Sequence, residues 1–294
     1  MSPANGATGT APAGTRTDLI RRALAEDAPG GDLTSELVVP AGAACTAELR
    51  AKAAGVIAGM AVAAEVFRTA AEQDGAGPVA VEPKVDDGTR VEPGDVLAAI
   101  RGPARTVLRA ERIAVNFLSH LSGVATLTRR YVDAAVPARI LCTRKTIPGL
   151  RELEREAVAA GGGTLHRASL SDAVLIKDNH VRIAGGVTPA VRLAKRGGVP
   201  VEVEVETLRE LEEALAEGAD RILLDNPTQD LVRAAAARVR DPERLEISGG
   251  VRLETVGELV AAGARVVSVG RLTHSAPALD ISLEVLDVDE DARG

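Results

Sequence analysis

Aromatic residues are almost absent from this chain of 294 residues, which contains no Trp, one Tyr and two Phe. Proteins that bind single-stranded nucleic acid stack the bases on such rings. The formal net charge of -7 would also repel a phosphate backbone. We therefore expect no nucleic-acid partner, and we expect an aliphatic core, for which the 46% content of hydrophobic residues is sufficient.

Cysteines and long apolar runs are scarce as well. The two cysteines, Cys45 and Cys142, are too few for a disulfide framework and are typical of a reducing compartment. No apolar run reaches the ~18 residues of a membrane span, and the N-terminus lacks the basic and apolar regions of a signal peptide. These absences predict a cytoplasmic protein with no membrane partner. A G-x-G-x-x-G motif after a first strand is also missing, which disfavours a Rossmann dinucleotide fold.

The first part of the chain contains three kinds of pattern. Residues 1–16 are mostly small or polar and predict a disordered leader. A helical pattern starts near Asp18, the possible N-cap, and short alternating segments with a helix near Met60–Glu72 then predict antiparallel strands. The pattern from Arg109 to Ala135 predicts one or two helices, broken near Ser122-Gly123.

From Ala138 onward, strand and helix patterns alternate, which predicts a parallel sheet covered by helices. The predicted strands are Arg139–Cys142, Ala173–Ile176, Pro200–Val205, Arg221–Leu224, Leu245–Ser248 and Arg265–Val269. Polar residues follow the ends of these strands, as in an α/β barrel whose loops converge on one mouth. Because six strands are evident instead of the usual eight, the barrel is predicted to be irregular or partly open.

The segment from Cys142 to His180 is rich in cationic residues although the whole protein is acidic. Such a cluster predicts a pocket that neutralises several negative groups of one small ligand. The cationic residues are Arg144, Lys145, Arg151, Arg155, His166, Arg167, Lys177 and His180.

Val and Glu alternate in the segment EVEVE, Glu202–Glu206. In an isolated strand this pattern is typical of a half-exposed surface with solvated glutamates. In a parallel sheet covered by helices both faces are buried, so the glutamates should face the barrel interior, with Lys177 as a counter-charge. We therefore favour a functional role for Glu204. For Lys177, a Schiff-base lysine of an aldolase-like barrel is a second interpretation, which the surrounding arginines disfavour.

Two glycine turns follow the last predicted strands. SGGV at Ser248–Val251 predicts backbone N–H groups at a helix N-terminus that suit a phosphate, although Gly-Gly is also common in ordinary turns. Ser268–Gly270 repeats the arrangement. Asp225-Asn226 either binds Mg²⁺ or sugar hydroxyls or simply starts a loop.

Several phrases together resemble the quinolinate phosphoribosyltransferase family over about Asp18–Leu283. The resemblance implies transfer of a phosphoribosyl group from phosphoribosyl pyrophosphate to quinolinate. Release of pyrophosphate and CO2 would then give nicotinate mononucleotide for NAD synthesis. In chain order the phrases are EDAPGGDLTS (Glu26–Ser35), ERIAVNFLSHLSGVAT (Glu111–Thr126), TRKTIPGLR, GGGTLHR, LIKDNH, EVEVE, LLDN, ISGGV and SVGRLTHSAPALDISL.

The resemblance also implies an architecture. An N-terminal α/β sandwich domain would cover residues 17–125, joined by a C-terminal return of residues 277–294. A partly open α/β barrel would form the catalytic domain over residues 126–276. Mg²⁺ is the implied cofactor, and the implied assembly is a homodimer with shared active sites, with hexamers in some members.

Carried over by motif, the resemblance assigns catalytic roles to Lys145, Lys177, Glu204 and Asp225. Glu204 and Asp225 would lie near the ribose hydroxyls and hold Mg²⁺ indirectly. Arg112 would reach quinolinate across the dimer interface. The substrate-binding set is Arg112, Thr143, Arg144, His166, Arg167, Ser248, Gly249, Gly250, Gly270 and His274.

Three positions depart from the family pattern. Leu165 replaces the usual Asn before His-Arg, Ser169 replaces a Gly, and Arg271 is larger and more basic than the common residue. Two alternatives stay open: a paralogous pyrophosphorylase-like protein, nicotinate-using or associated with molybdenum transport, and a non-catalytic barrel that binds a phosphometabolite. A ring of five cations disfavours a monocarboxylate substrate, because each unpaired buried charge would cost several kcal/mol.

Overall fold

A computed structural model of the chain describes residues 14–289. Most of the predicted leader therefore lies outside the described residues, and residues 14–16 already belong to the first helix. Within the described part, unit 1 comprises residues 14–54, Gly59–Ser119 and 279–289, and unit 2 comprises Gly55–Ala58 and His120–Ala278. The chain passes from unit 1 to unit 2 after Ser119, inside a helix, and the boundary after residue 125 stays a prediction.

The elements are numbered in chain order. The helices are α1 (Gly14–Asp27), α2 (Leu33–Val38), α3 (Met60–Asp74), α4 (Ala104–Ala134), α5 (Arg151–Ala160), α6 (Asp178–Ala184), α7 (Val187–Lys195), α8 (Leu208–Ala216), α9 (Gln229–Ala236), α10 (Val256–Ala261) and α11 (Arg271–His274), with a 3-10 turn at Pro242–Arg244. The strands are β1 (Ala44–Ala51), β2 (Gly55–Val56), β3 (Ala80–Pro83), β4 (Arg90–Val91), β5 (Val96–Pro103), β6 (Arg139–Leu141), β7 (Val174–Ile176), β8 (Val201–Val205), β9 (Arg221–Asp225), β10 (Leu245–Ser248), β11 (Val266–Ser268) and β12 (Ile281–Val288).

Unit 1 is built on a four-stranded sheet in the order β12-β1-β5-β3. Burial alternates along β1, as expected for a strand with one face toward a core. The C-terminal strand β12 runs antiparallel to β1 and pairs Ile281 with Ala51, so the end of the chain completes this sheet. The helix α3 adds an aliphatic face that includes the fully buried Val66 and Phe67. Asp18 is not an N-cap, because α1 already begins at Gly14.

The helix α4 is continuous from Ala104 to Ala134, so the predicted break near Ser122-Gly123 is wrong. Gly123 serves close packing instead of ending the helix. A Cβ atom at this position would collide with the backbone of Pro277 and Ala278. A glycine inside a helix costs roughly 0.5–1 kcal/mol relative to alanine, and here it permits this close approach.

Unit 2 contains a six-stranded parallel sheet in the order β6-β11-β10-β9-β8-β7. Each of the six predicted segments overlaps one of these strands to within one residue at either end. The edge strands β6 and β7 do not pair with each other, and Thr164 forms an isolated parallel bridge with Leu141 beside β6. The predicted fold class, an α/β sandwich domain and a partly open α/β barrel, is therefore confirmed. Among residues 14–289, no helix combines the length and the apolar composition of a membrane-spanning segment.

Candidate active site

Two adjoining cavities open at the carboxyl ends of the barrel strands, both formed by residues of unit 2. The first cavity measures about 310 Å³ and the second about 260 Å³. They share Thr143, Lys145, Ser248 and Ser268. The first is further lined by Cys142, Arg144, His166, Arg167, Leu175, Lys177, Glu204, Leu223, Asp225 and Glu246, and the second by Gly249, Gly250, Val251, Arg252, Val269, Gly270, Arg271 and His274.

Every predicted site residue of the barrel therefore lines one cavity or both. The remaining one, Arg112, belongs to unit 1 and is exposed on α4. This convergence follows from topology, because the carboxyl ends of parallel strands meet at one edge of the sheet.

The first cavity has an excess of positive charge. Nε of Arg144 is buried without a hydrogen-bond partner, and no carboxylate within residues 14–289 forms an ion pair with this side chain. Arg167 donates from Nη1 to the carbonyl of Ala173 over 3.1 Å. Burial, followed by the nearby charge of Arg144, lowers the pKa of Arg167. Such a cavity requires an anionic ligand to compensate its charge.

Carboxylates from neighbouring strands accompany these cations. Nζ of Lys177 lies 3.2 Å from Oε2 of Glu204, so the ion pair expected from the Val-Glu alternation is present. Asp225, at the end of β9, accepts a hydrogen bond from the side-chain amide of Asn226 over 2.8 Å. Asn226 has φ 47° and is the non-glycine residue with positive φ in the described chain.

His166 lies between two glutamates of the barrel interior. Its Nε2 is 3.3 Å from Oε2 of Glu202 and 3.4 Å from Oε2 of Glu246. Contact with Glu202 and then with Glu246 raises the pKa of His166 to about 9 despite its burial. Burial alone would raise the pKa of Glu246, but the close contact and the charge of His166, with help from Ser268 and Arg221, lower it.

The second cavity is bounded by the turn after β10. Gly249 and Gly250 have φ of 80° and 58°, values that disfavour any side chain. A Cβ on Gly249 would also lie 2.5 Å from Oδ1 of Asn226 and 2.6 Å from Oδ1 of Asp225. The prediction of a helix N-terminus here is wrong, because α10 begins only at Val256. The left-handed glycines turn the chain away before a helix can start.

Gly270 lies in the turn after β11 and bounds the same cavity. A Cβ there would lie 3.1 Å from Cδ of Lys145 and 3.2 Å from Nε2 of His274, so both side chains approach the glycine closely. The hydroxyl of Thr273 donates to the carbonyl of Lys145 over 2.7 Å and fixes the loop that carries this lysine. Arg271, one of the three departures, is exposed and lines the second cavity.

Two arginines of the cationic segment bind backbone instead of lining a cavity. Arg151 donates to the carbonyl of Ala168 over 3.1 Å, and Arg155 donates to the carbonyl of His166 over 2.6 Å. Both lie on α5 and brace the loop that carries His166. Leu165 is 44% exposed and lines a third cavity of about 240 Å³. The hydroxyl of Ser169 donates to Asp172 in the same loop.

Sequence reasoning missed two polar residues of the site, Glu246 and Arg252. Glu246 had a readable signal, because it precedes Ser248 by two positions in an otherwise apolar strand and so faces the same side. Arg252 follows a predicted turn. Whether its side chain lines the cavity depends on the direction that the chain takes after the glycines, which the sequence does not specify.

An open parallel barrel with excess cations in one cavity and glycine turns around the next defines a protein that binds an anionic, phosphorylated small molecule. The sequence matches the profile "Quinolinate phosphoribosyl transferase, N-terminal domain" over residues 32–122 and the corresponding C-terminal domain over residues 124–284. The chain therefore belongs to the quinolinate phosphoribosyltransferase family.

Individual relatives agree with this membership. A Mycobacterium leprae protein named nicotinate-nucleotide pyrophosphorylase (carboxylating) is 42% identical over 91% of this chain and 96% of its own. A Nicotiana tabacum protein named quinolinate phosphoribosyltransferase (decarboxylating) 2b, mitochondrial, is 39% identical, covering 91% and 81%. The solved nicotinate-nucleotide pyrophosphorylase from Francisella tularensis superposes with a TM-score of 0.86 at 35% identity, covering 94% and 98%. The cytoplasmic location stays a prediction.

Proposed function

We propose that this chain transfers the phosphoribosyl group of phosphoribosyl pyrophosphate to the ring nitrogen of quinolinate, with decarboxylation, and thereby makes nicotinate mononucleotide in NAD biosynthesis. The observation that carries the proposal is the pair of adjoining cavities. One has cations without enough counter-charge, and the other is bounded by left-handed glycines and further cations. A bound dicarboxylate would compensate the charge of the first cavity, and the phosphates of a phosphorylated sugar would bind at the glycine turns and cations of the second.

Quinolinate carries two adjacent carboxylates, and the first cavity offers matching donors. Arg144 and Arg167 can each bind a carboxylate through two parallel N–H groups, which a lysine cannot do. His166 and Lys177 add charge at the same cavity. Because no described carboxylate pairs with Arg144, a bound dianion would remove the cost of its isolated charge.

The phosphoribosyl substrate would occupy the second cavity and the residues shared by both. Backbone N–H groups around Gly249, Gly250 and Gly270 suit phosphate oxygens, because these residues have no side chain of their own to block the approach of a phosphate. Lys145 and His274 lie against Gly270, and Lys145 supplies positive charge. The ribose would then lie near Glu204 and Asp225, between the two ligand groups.

In the reaction, the ring nitrogen of quinolinate forms a bond to the ribose C1 while the bond from C1 to the pyrophosphate oxygen breaks. The leaving oxygen keeps the electron pair, and C1 passes through an oxocarbenium-like state that Glu204 or Asp225 would stabilise electrostatically. The alkylated ring nitrogen is cationic, so it stabilises the electron pair that remains on C2 when CO2 leaves. That carbon then takes up a proton. Positioning alone can supply up to ~7–11 kcal/mol of such a barrier.

We also propose Mg²⁺ as the cofactor, held by Glu204 and Asp225. Carboxylate oxygens are ligands that Mg²⁺ prefers, and two of them match an ion that binds largely through substrate phosphates. In residues 14–289 neither carboxylate belongs to a cluster of three or more converging His, Cys, Asp or Glu ligands, which agrees with indirect binding. When bound, Mg²⁺ would neutralise charge that develops on the leaving pyrophosphate. Lys145 would provide charge beside the same group.

We further propose a homodimer in which Arg112 of one subunit reaches the quinolinate of the other. The proposal rests on the resemblance to the family, and two observations are compatible with it. Arg112 is exposed on α4, and unit 2 alone supplies the lining of both cavities. Hexamers stay a prediction.

The test is mass spectrometry of the products after incubation with Mg²⁺, phosphoribosyl pyrophosphate and either quinolinate or nicotinate. We expect nicotinate mononucleotide and CO2 from quinolinate and little product from nicotinate. Product from nicotinate alone would contradict the proposal and favour a non-decarboxylating transferase. Tight binding of phosphoribosyl pyrophosphate without turnover of either acid would favour a binding protein.

A further inference from the structure

Two buried carboxylates lie in the barrel interior at the cavity that is proposed to bind a dianion, and one of them, Glu246, is part of its lining. Glu202, on β8, is 7% exposed, and Glu246, on β10, is 2% exposed. Negative charge at this place opposes binding of an anion, and burying it is costly in itself. Another contribution of these carboxylates to the site must therefore offset both costs.

Both carboxylates converge on one atom. Nε2 of His166 lies 3.3 Å from Oε2 of Glu202 and 3.4 Å from Oε2 of Glu246, and its side chain is 11% exposed. Oε1 of Glu202 and Oε2 of Glu246 are buried without a well-aligned hydrogen-bond donor. Protonated His166 therefore compensates the negative charge of both carboxylates. The other ring nitrogen, Nδ1, makes no hydrogen bond to any described residue.

The protonation state of a histidine decides which of its two ring nitrogens can donate a hydrogen bond. A neutral ring carries one proton, and two carboxylates around Nε2 hold that proton there. Nδ1 would then carry a lone pair and repel a carboxylate. Only the doubly protonated ring donates from both nitrogens. The glutamates therefore decide whether Nδ1 of His166, a residue that lines the first cavity, attracts or repels an anion.

We propose that Glu246 and Glu202 are positioning residues that hold Nε2 of His166 and keep its Nδ1–H as a donor to a substrate carboxylate. This inference rests on the proposed function, because it assigns the donor to one carboxylate of quinolinate. Glu246, which lines the first cavity, and Glu202 are proposed to act on the substrate through His166.

The surrounding charges favour the same protonation state. Contact with Glu202, and next with Glu246, raises the pKa of His166 to about 9, against the effect of burial. At about pH 8 roughly 90% of such a histidine is protonated, compared with roughly 3% at an ordinary pKa near 6.5. The other charged or titratable groups around His166 and its two partners are Arg155, Arg167, Arg144, Arg221 and Cys142.

Nitrogen NMR of the histidine side chains tests the proposal on the full chain without any assay of activity. The chain has four histidines, and the variant His166→Gln assigns the signal by its loss. We expect the unsubstituted protein to show His166 with both nitrogens protonated at about pH 8. A neutral ring at that pH would overturn the proposal, even in a protein whose turnover of quinolinate is normal.

The variants Glu246→Gln and Glu202→Gln, singly and together, remove charge with little change of shape. In the double variant we expect a pKa for His166 near its ordinary value and a loss of about 30-fold in kcat/KM for quinolinate at about pH 8. At about pH 6 most of the loss should disappear, because the histidine is protonated again. The KM for phosphoribosyl pyrophosphate should stay unchanged. An equal loss at both pH values would indicate a merely structural role and refute the inference.

Glu217→Gln is the matched control, because it removes one negative charge from a surface pair with Arg192. It should leave the pH profile unchanged. The same three residues, His166, Glu202 and Glu246, are also the cluster within residues 14–289 whose ligand atoms lie within 4.8 Å of one another. Stoichiometric Zn²⁺ binding that displaces the proton from Nε2 in the NMR spectrum would make this a metal site and would also overturn the proposal.

Discussion

Replacement of Gly249 by alanine should separate the stability of the turn after β10 from its function. Gly249 has φ 80°, and the new Cβ would lie 2.5 Å from the side chain of Asn226 and 2.6 Å from that of Asp225. Gly218 provides a matched control. It has φ 73°, but no atom lies within 4 Å of the position that its Cβ would take.

The two variants share one energetic cost. A left-handed backbone costs a non-glycine residue about 1–2 kcal/mol, so both proteins should lose about that much stability. The additional clash in Gly249→Ala involves the ends of two side chains, which can rotate away at little cost in stability. That rotation moves the carboxylate of Asp225 from its place at the cavity. A misplacement of about 1 Å can reduce catalysis by about 10²-fold.

The assay is thermal unfolding combined with steady-state kinetics for both variants. We expect similar decreases in Tm, a kcat/KM close to the unsubstituted value for Gly218→Ala, and a loss of about 10²-fold for Gly249→Ala. If both variants retain the same kcat/KM, the turn does not position Asp225 and our account of the second cavity is incorrect. Unequal losses of stability would show that the clash is not relieved by rotation.

Four further predictions concern other parts of the molecule. Arg144→Ala should abolish turnover of quinolinate with little change in Tm, because this side chain has no ion pair in the described protein; normal activity would remove the first cavity from the mechanism. Mixing inactive Arg112→Ala and Lys177→Ala subunits should restore partial activity after subunit exchange if the sites are shared, and verified heterodimers without activity would contradict sharing. Gly123→Ala should destabilise the protein by about 1–3 kcal/mol through the collision with Pro277 and Ala278. Gly257→Ala in α10 should be neutral or stabilising in urea unfolding, because its Cβ would make only an ordinary 3.6 Å contact with the carbonyl oxygen of Ala134. The raised pKa of His166 implies a contribution to stability that is fully present below about pH 6.5 and is lost as the pH rises through about 9. His166→Gln should remove this pH dependence of the unfolding free energy. If the variant shows the same dependence of unfolding free energy on pH, the dependence belongs to other groups.

The barrel strands and their inward residues were readable from the sequence because they depend on local patterns. Alternation of apolar strands with amphipathic helices gave all six strands within one or two residues. The period of two in EVEVE also placed Glu204 inside the barrel, beside Lys177. These features follow from residue spacing within a single element and from the convergence of parallel strand ends.

Other features depended on neighbours that are distant along the chain. Gly123 resembled a helix break, but the backbone at Pro277 makes the glycine necessary inside a continuous helix. The Gly249-Gly250 pair resembled a helix start, but its left-handed angles turn the chain and delay α10 until Val256. In both cases the sequence marked the position, and the packing around it decided the conformation.

The sequence by itself determined the element order, the aliphatic core and the set of polar residues that follow the barrel strands. It could not rank the cations between Cys142 and His180, because all of them carry similar charge in one short stretch. Only the tertiary structure directs Arg144 and Arg167 into the cavity while Arg151 and Arg155 bind backbone carbonyls. It also brings Glu202 and Glu246 from separate strands to His166. The physical reason is that burial and charge pairing depend on the distance in space between side chains, which local residue patterns do not specify.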